Sequence, residues 1–308
     1  MTWCSNWPPR VAEAAAPLTA RALIDSAARR FRRARLYYGH GTDNAVDEAA
    51  FLVLHGLGLP PDAGDALLDQ ALTAEARAAA EHLVQARLTR RCPAAYLTHR
   101  MWFAGHEFYV DERVLVPRSP LAELIHQQFV PWLAPGAVKR VLDIGTGSGC
   151  IALACALAFP AAEVDATDLS ADALAVATIN RARHALESRV RLIEADLFPA
   201  DGGRYDLIVS NPPYVPATRM TDLPEEYLQE PAMALVSGEE GFNCVDGILA
   251  RAAEHLTDDG VLVVEVGEIA EAVDERYAHL PLTWLEFEHG GEGVFVISRE
   301  DLLGATGK

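Results

Sequence analysis

Asn211-Pro212-Pro213-Tyr214 bring a side-chain carbonyl, a main-chain carbonyl and an aromatic ring together in four consecutive residues. Asn211 offers its amide oxygen, and Pro212 offers a carbonyl with no N–H beside it, so the pair can accept both hydrogens of one planar NH2 group. Pro213 fixes the direction of the Pro212 carbonyl, because a residue ahead of proline is driven toward extended geometry. Tyr214 can stack on the held group or wall it off. The pattern predicts a site for an amine or amide nitrogen, with Asn211, Pro212 and Tyr214 as catalytic groups and Pro213 completing the substrate contact.

A second constellation says what happens to that nitrogen. Val141-Leu142-Asp143-Ile144 reads as a buried strand, Gly145-Thr146-Gly147-Ser148-Gly149 as a turn, and Ile151–Phe159 as an apolar helix. Alternating glycines let the backbone approach a ligand, and the helix start behind them favours an anionic group. Asp168, nineteen residues after Gly149, follows the strand Ala162–Thr167, where a carboxylate would accept hydrogen bonds from two ribose hydroxyls. Asp196-Leu197 follows the strand Arg189–Glu194, where an acid and an apolar side chain would meet an adenine amino group and ring face. Each feature alone has a plainer reading: a dinucleotide turn, a helix-capping acid before Ser170, a loop aspartate. Together they predict a cofactor site of Asp143, Gly145, Thr146, Gly147, Gly149, Asp168, Asp196 and Leu197, sharing Asn211, with Phe103 and Arg118 as further candidates from the preceding segment.

The elements that must position these residues alternate strand and helix from Val138 onward, as in a parallel sheet covered on both faces. The strands Leu282–Glu288 and Gly293–Ser298, parted by Gly290-Gly291, form a terminal antiparallel pair. Ahead of the sheet, Leu18–Tyr38, Val46–Leu57 and Thr73–Leu88 have helical periodicity, broken at Gly39-His40-Gly41 and Gly58-Leu59-Pro60-Pro61. Met101-Trp102-Phe103, Glu107–Val110 and Val114-Leu115-Val116 read as short strands of a hairpin arm. The expected organisation is a helical, substrate-recognition domain over 1–98, a β-hairpin linker over 99–118 and a catalytic α/β domain over 119–308. The segment Val215–Asn243 is too long for an ordinary connection and is expected to cover the substrate.

Composition bounds the partners. The 308 residues are 50% hydrophobic, enough for a full core in two domains, and carry a net charge of −18. That charge disfavours general attraction to a phosphate backbone and favours a basic partner, or serves solubility alone. Arg29-Arg30-Phe31-Arg32-Arg33-Ala34-Arg35 is the one basic run, the place for incidental RNA contact. Cys4, Cys92, Cys150, Cys155 and Cys244 make no CxxC pair and no metal-ligand spacing, so free thiols in a reducing compartment and no metal are expected. The first ten residues lack a signal-peptide core and no stretch has transmembrane length, which predicts a cytoplasmic protein without a membrane partner.

Residues 110 to 308 resemble class I S-adenosylmethionine-dependent methyltransferases, which implies a Rossmann-like sheet and S-adenosylmethionine as cofactor. The Asn-Pro-Pro-Tyr motif is similar to that of enzymes methylating planar nitrogens, adenine amines or glutamine amides. The helical start, the hairpin with Ala95-Tyr96-Leu97 and the segment Val116-Pro117-Arg118 further resemble the glutamine methyltransferase family that modifies release factors and one ribosomal protein. Release-factor members carry Pro-Arg-Pro-Asp-Thr-Glu where this chain reads Pro117-Arg118-Ser119-Pro120-Leu121-Ala122-Glu123-Leu124. That departure, with Asp222-Leu223-Pro224-Glu225-Glu226-Tyr227 through Glu230-Pro231 and Thr283-Trp284-Leu285-Glu286-Phe287-Glu288, is similar to the ribosomal branch. The resemblance implies large-subunit ribosomal protein three, a basic protein, as substrate. Release-factor glutamine methylation, adenine-N6 methylation of nucleic acid and a non-catalytic scaffold stay open as alternatives.

Overall fold

The computed structural model describes residues 18–201, 203–288 and 290–306. Cys4 and the N-terminal segment read for a signal peptide lie outside these residues. Three long helices open the fold: α1 (Ala20–Arg33), α2 (Ala45–Leu57) and α4 (Ala74–Arg90), with the short α3 (Asp65–Leu68) between the last two. Each long helix starts where a side-chain oxygen meets orphan backbone N–H groups: Thr19 on Ala22, Asn44 on Val46 and Asp47, Thr73 on Ala76. Leu23, Ile24, Ala27 and Phe31 of α1 bury against Leu52, Val53, Ala80 and Val84 as a separate core. Helix α1 stops short of the expected Tyr38. The Arg91 guanidinium takes the carbonyls of Ala34 and Arg35 at 3.4 and 3.2 Å, and Arg35 turns to φ 51°. Within the basic run, Arg30 is drawn onto Glu81 and Gln85 of α4, while Arg29, Arg32, Arg33 and Arg35 stay exposed.

The linker departs from the expected three strands. Ala95-Tyr96-Leu97 lies not in the hairpin but on helix α5 (Ala94–Thr98), and only β1 (Met101–Phe103) and β2 (His106–Phe108) pair. Val114-Leu115-Val116 joins no ladder, because side chains occupy its backbone groups: the Tyr96 hydroxyl donates to the Val114 carbonyl, and the Val116 N–H donates to Glu230 at 2.9 Å.

Helix α6 (Leu121–His126) leads into a seven-stranded sheet of β3 (Arg140–Ile144), β4 (Glu163–Asp168), β5 (Val190–Glu194), β6 (Tyr205–Ser210), β7 (Leu256–Glu265), β8 (Thr283–Trp284) and β9 (Val294–Ser298). Interleaved are α7 (Cys150–Ala158), α8 (Ala171–Arg183), α9 (Asn243–His255), α10 (Ala270–Arg276) and the closing α11 (Arg299–Thr306). The spatial order is β5-β4-β3-β6-β7-β9-β8, parallel through β7 and antiparallel at β9 and β8. Successive residues face opposite layers: Val141, Leu207, Val209 and Val263 enter one core, Leu142, Ile208 and Leu262 the other. The expected strand Leu282–Glu288 shrinks to two residues: beyond Trp284 the Leu285 N–H still donates to the Val294 carbonyl, but the Glu288 N–H turns away to the Glu123 carboxylate of α6. The chain winds outward from β3 to β5, then returns to place β6 on the other side of β3. That reversal opens a crevice at the carboxyl ends of β3 and β6, where such sheets bind ligands.

Candidate active site

The turn after β3 forms one wall of that crevice. Gly145 and Thr146 both donate to the Thr167 carbonyl at 2.9 Å, which bends the chain across the end of β4. Gly145 and Gly147 sit at φ 72° and 55°, and a Cβ on either would point into open space. Gly149 has a different role: a Cβ there would press on Ala177 of α8 at 3.2 Å, so this glycine allows two helices to approach. Asp143 works from behind. One oxygen accepts the Thr146 hydroxyl at 2.6 Å and the Ala152 N–H at 3.0 Å, while its other oxygen, fully buried, has no partner. Burial, opposed by those two bonds, pushes its pKa up to about 7.

Asp168, at the end of β4, accepts from Gly147 N and Ser170 N, each at 2.8 Å, so it ties the glycine turn to the start of α8. Burial raises its pKa against those bonds. Leu197 adopts φ 65°, its carbonyl held by the Thr167 hydroxyl at 2.6 Å, and Asp196 beside it is exposed. Phe103 lies in the sheet core near Phe108 and Ile151.

Asn211, Pro212, Pro213 and Tyr214 line a cavity of about 410 Å³. The Ser210 hydroxyl donates to the Ile144 carbonyl at 2.7 Å, so β6 ends tied to β3, and Asn211 emerges next to the glycine turn. None of Gly145, Gly147, Asp168, Asp196, Leu197 or Phe103 lines this cavity, whereas Arg118 does. The Tyr214 ring packs on Gly267, where a Cβ would meet ring carbons at 2.7 Å. Burial raises the phenol pKa, so Tyr214 stays protonated.

The opposite wall comes from far away in sequence. Tyr37 from the N-terminal helices, Leu115 and Arg118 from the linker, and Leu223, Pro224 and Tyr227 from the long 215–243 segment all line the cavity. That segment folds into three short 3-10 turns, its base closed by Val215 N on Leu235 O at 2.8 Å and Ala217 N on Gly238 O at 2.9 Å. Buried ion pairs fasten its middle. Arg87 of α4 reaches Glu48 at 2.7 Å and Glu226 at 3.3 Å, Arg91 reaches Glu226 at 2.9 Å, and Arg118 reaches Glu230 at 2.6 Å. The Tyr227 ring packs 5.5 Å from Tyr37 and 4.7 Å from His40, with the Arg118 guanidinium 5.2 Å over it.

Sequence reasoning missed Glu265, which also lines the cavity. It ends β7, receives the Ser119 hydroxyl, and is 6% exposed. Burial pushes its pKa up to about 7, against the hydrogen bond from Ser119, the Arg118 charge and a hydrogen bond with Asn211. The available signal was an apolar strand ending in an acid, the one that follows the strand leading into Asn211. Among the described residues, no cluster of His, Cys, Asp or Glu could hold a metal ion, and no helix is long and apolar enough to cross a membrane.

The sheet order with its antiparallel edge, and the glycine turn opposite the Asn-Pro-Pro-Tyr end of β6, define a class I methyltransferase. The methyltransferase small domain family model matches residues 126–242. The chain is 47% identical over 286 residues to the ribosomal protein uL3 glutamine methyltransferase of Bordetella pertussis, covering 92% of this chain and 96% of that protein. It is 47% identical over 287 residues to the protein of the same name from Neisseria meningitidis serogroup B, covering 93% and 95%. Among solved structures, the hMettl16 catalytic domain in complex with MAT2A 3'UTR hairpin 6 shares the fold at TM-score 0.50 and 17% identity, over 62% of this chain and 75% of that one. The chain belongs to the ribosomal protein uL3 glutamine methyltransferase family.

Proposed function

We propose that this protein works in the cytoplasm, methylating the side-chain amide nitrogen of a glutamine in ribosomal protein uL3 with S-adenosylmethionine as donor. The observation that carries this reading is the placement of Asn211 and Pro212 on a cavity wall at the point where β6 meets the glycine turn of β3. The residues around that turn fit the donor. Gly145 and Gly147 face open space, and an unpartnered buried oxygen of Asp143 lies behind them. Gly145, Thr146, Gly147, Asp168, Asp196 and Leu197 would hold the cofactor, with Asp143 and Gly149 shaping the turn and Phe103 supporting it from the core. When bound, the cofactor supplies an electrophilic methyl group on a positively charged sulfur.

The protein's own groups then orient the nitrogen. An amide lone pair is delocalised, so the nitrogen must be held for in-line approach at roughly 3 to 3.5 Å. The Asn211 side-chain oxygen and the Pro212 carbonyl accept its two hydrogens. These acceptors bind more strongly as positive charge develops on nitrogen, which favours the transition state over the ground state. Tyr214 and Pro213 border the group, and the segment around Tyr227 excludes water. The helical part up to residue 98 serves recognition by supplying Tyr37 and by anchoring Glu226. A net charge of −18 suits a basic ribosomal protein.

Purified uL3, a release factor and ribosomal RNA incubated with labelled S-adenosylmethionine test the reading. The expected result is label in uL3 alone, recovered as methylglutamine on hydrolysis and absent with Asn211→Ala. Label in the release factor or RNA instead of uL3 would overturn it.

A further inference from the structure

We propose that Glu265 is a positioning residue for methyl transfer, whose carboxylate turns the Asn211 amide so that its nitrogen faces Glu265 and its oxygen faces the substrate. This rests on the glutamine-methylation reading above. The two ends of an asparagine amide are nearly alike in shape, so the cavity walls alone do not select between them. With the wrong end inward, Asn211 would present N–H groups to the N–H groups of the substrate. The acceptor would be lost and a buried donor left unpaired.

The sheet supplies the selector. Ser210 of β6 lies opposite Val264 of β7, so the next residues along these parallel strands are Asn211 and Glu265. One Glu265 oxygen receives the Ser119 hydroxyl, and the Leu121 N–H donates to Ser119 Oγ at 3.1 Å, which fixes the carboxyl. Asn211 and Glu265 both line the cavity, and the Asn211 amide is among the groups that hold the Glu265 pKa down against burial. An ionised carboxylate only accepts, so it can meet Asn211 only through the amide nitrogen; a protonated carboxyl can donate and would reward the opposite turn. The charged and titratable groups lining the same cavity are Tyr37 from the N-terminal helices, Arg118 from the linker, Tyr214 beyond β6, Tyr227 from the 215–243 segment, Glu268 in the turn after β7 and Glu292 ahead of β9. Burial brings the Glu265 pKa to about 7, so the carboxyl changes role within the range of an ordinary assay.

The test is the pH profile of kcat on uL3 for the wild type, Glu265→Gln and Ser119→Ala, with cofactor affinity measured alongside. The wild type should lose kcat as pH falls through the neighbourhood of 7. Glu265→Gln should lower kcat roughly ten- to hundredfold, lack that acid limb and bind cofactor as the wild type does. Ser119→Ala removes a bond that lowers the Glu265 pKa and should move the limb to higher pH. It keeps the inference falsifiable if the first variant fails to fold. Wild-type transfer with an unchanged acid limb in whichever variants fold, or with undiminished kcat in Glu265→Gln, would overturn the inference alone. No transfer by the wild type would overturn the underlying reading and the inference with it.

Discussion

Arg118 grips Glu230 with both terminal guanidinium nitrogens, at 2.6 and 2.8 Å, and the Glu230 side chain is wholly buried. The same carboxylate takes the Val116 N–H at 2.9 Å and faces His40 at 3.5 Å. One acid thus joins the N-terminal helices, the linker and the cavity segment at a single point.

Arg118→Lys retains the charge but loses the two-pronged geometry. Losing a charged hydrogen bond of about 1.5–3 kcal/mol should loosen the Tyr227 wall. Steady-state kinetics should show KM for uL3 raised roughly tenfold or more, with cofactor affinity unchanged. Equal KM values would show that the pair does not support substrate binding.

Arg87 is 1% exposed and is held by Glu48, Glu226 and the Tyr37 carbonyl. Arg87→Ala leaves two buried carboxylates short of a counter-charge and should cost about 3–5 kcal/mol in urea unfolding. Substrate affinity should also fall, because Glu226 lies next to Tyr227 in the cavity wall.

Stability should vary with pH in two opposite ways. Burial alone would raise Glu230, but Arg118 and His40 bring it down to about 2 from an ordinary 4.5. A depressed carboxyl stabilises fully above its unfolded pKa, so stability on the order of 3 kcal/mol should be lost as pH falls from about 4.5 toward 2. Asp143 and Glu265 are raised by burial to about 7, so the folded chain holds protons that the unfolded chain releases. Their contribution declines as pH rises from about 4 to 7. Urea unfolding should therefore show Glu265→Gln gaining on the wild type at pH 8 relative to pH 5.

Asp168→Ala should weaken S-adenosylmethionine binding by roughly 1 to 3 kcal/mol through lost charge-assisted hydrogen bonds. Asn211→Ala should abolish transfer with little change in that affinity. Calorimetric titration of both variants separates the two halves of the site; equal affinity in Asp168→Ala and wild type would refute the assignment of Asp168.

The sequence by itself determined the sheet, its parallel order with an antiparallel edge and the short-range chemistry of the strand ends. Each strand and the residues just beyond it are contiguous, so apolar runs, glycines and prolines there carry their own geometric meaning. It misjudged segments whose backbone is satisfied from elsewhere. Val114–Val116 gives its groups to Tyr96 and Glu230 instead of a ladder, and α1 ends where Arg91 arrives from a different helix. The sequence also named Arg118 and the 215–243 segment for this site, but only the tertiary structure brought Tyr37 and Glu265 to the cavity, through ion pairs and strand neighbours that leave no periodicity along the chain. A buried charge needs a partner from any distance, and sequence spacing does not record which partner folding will bring.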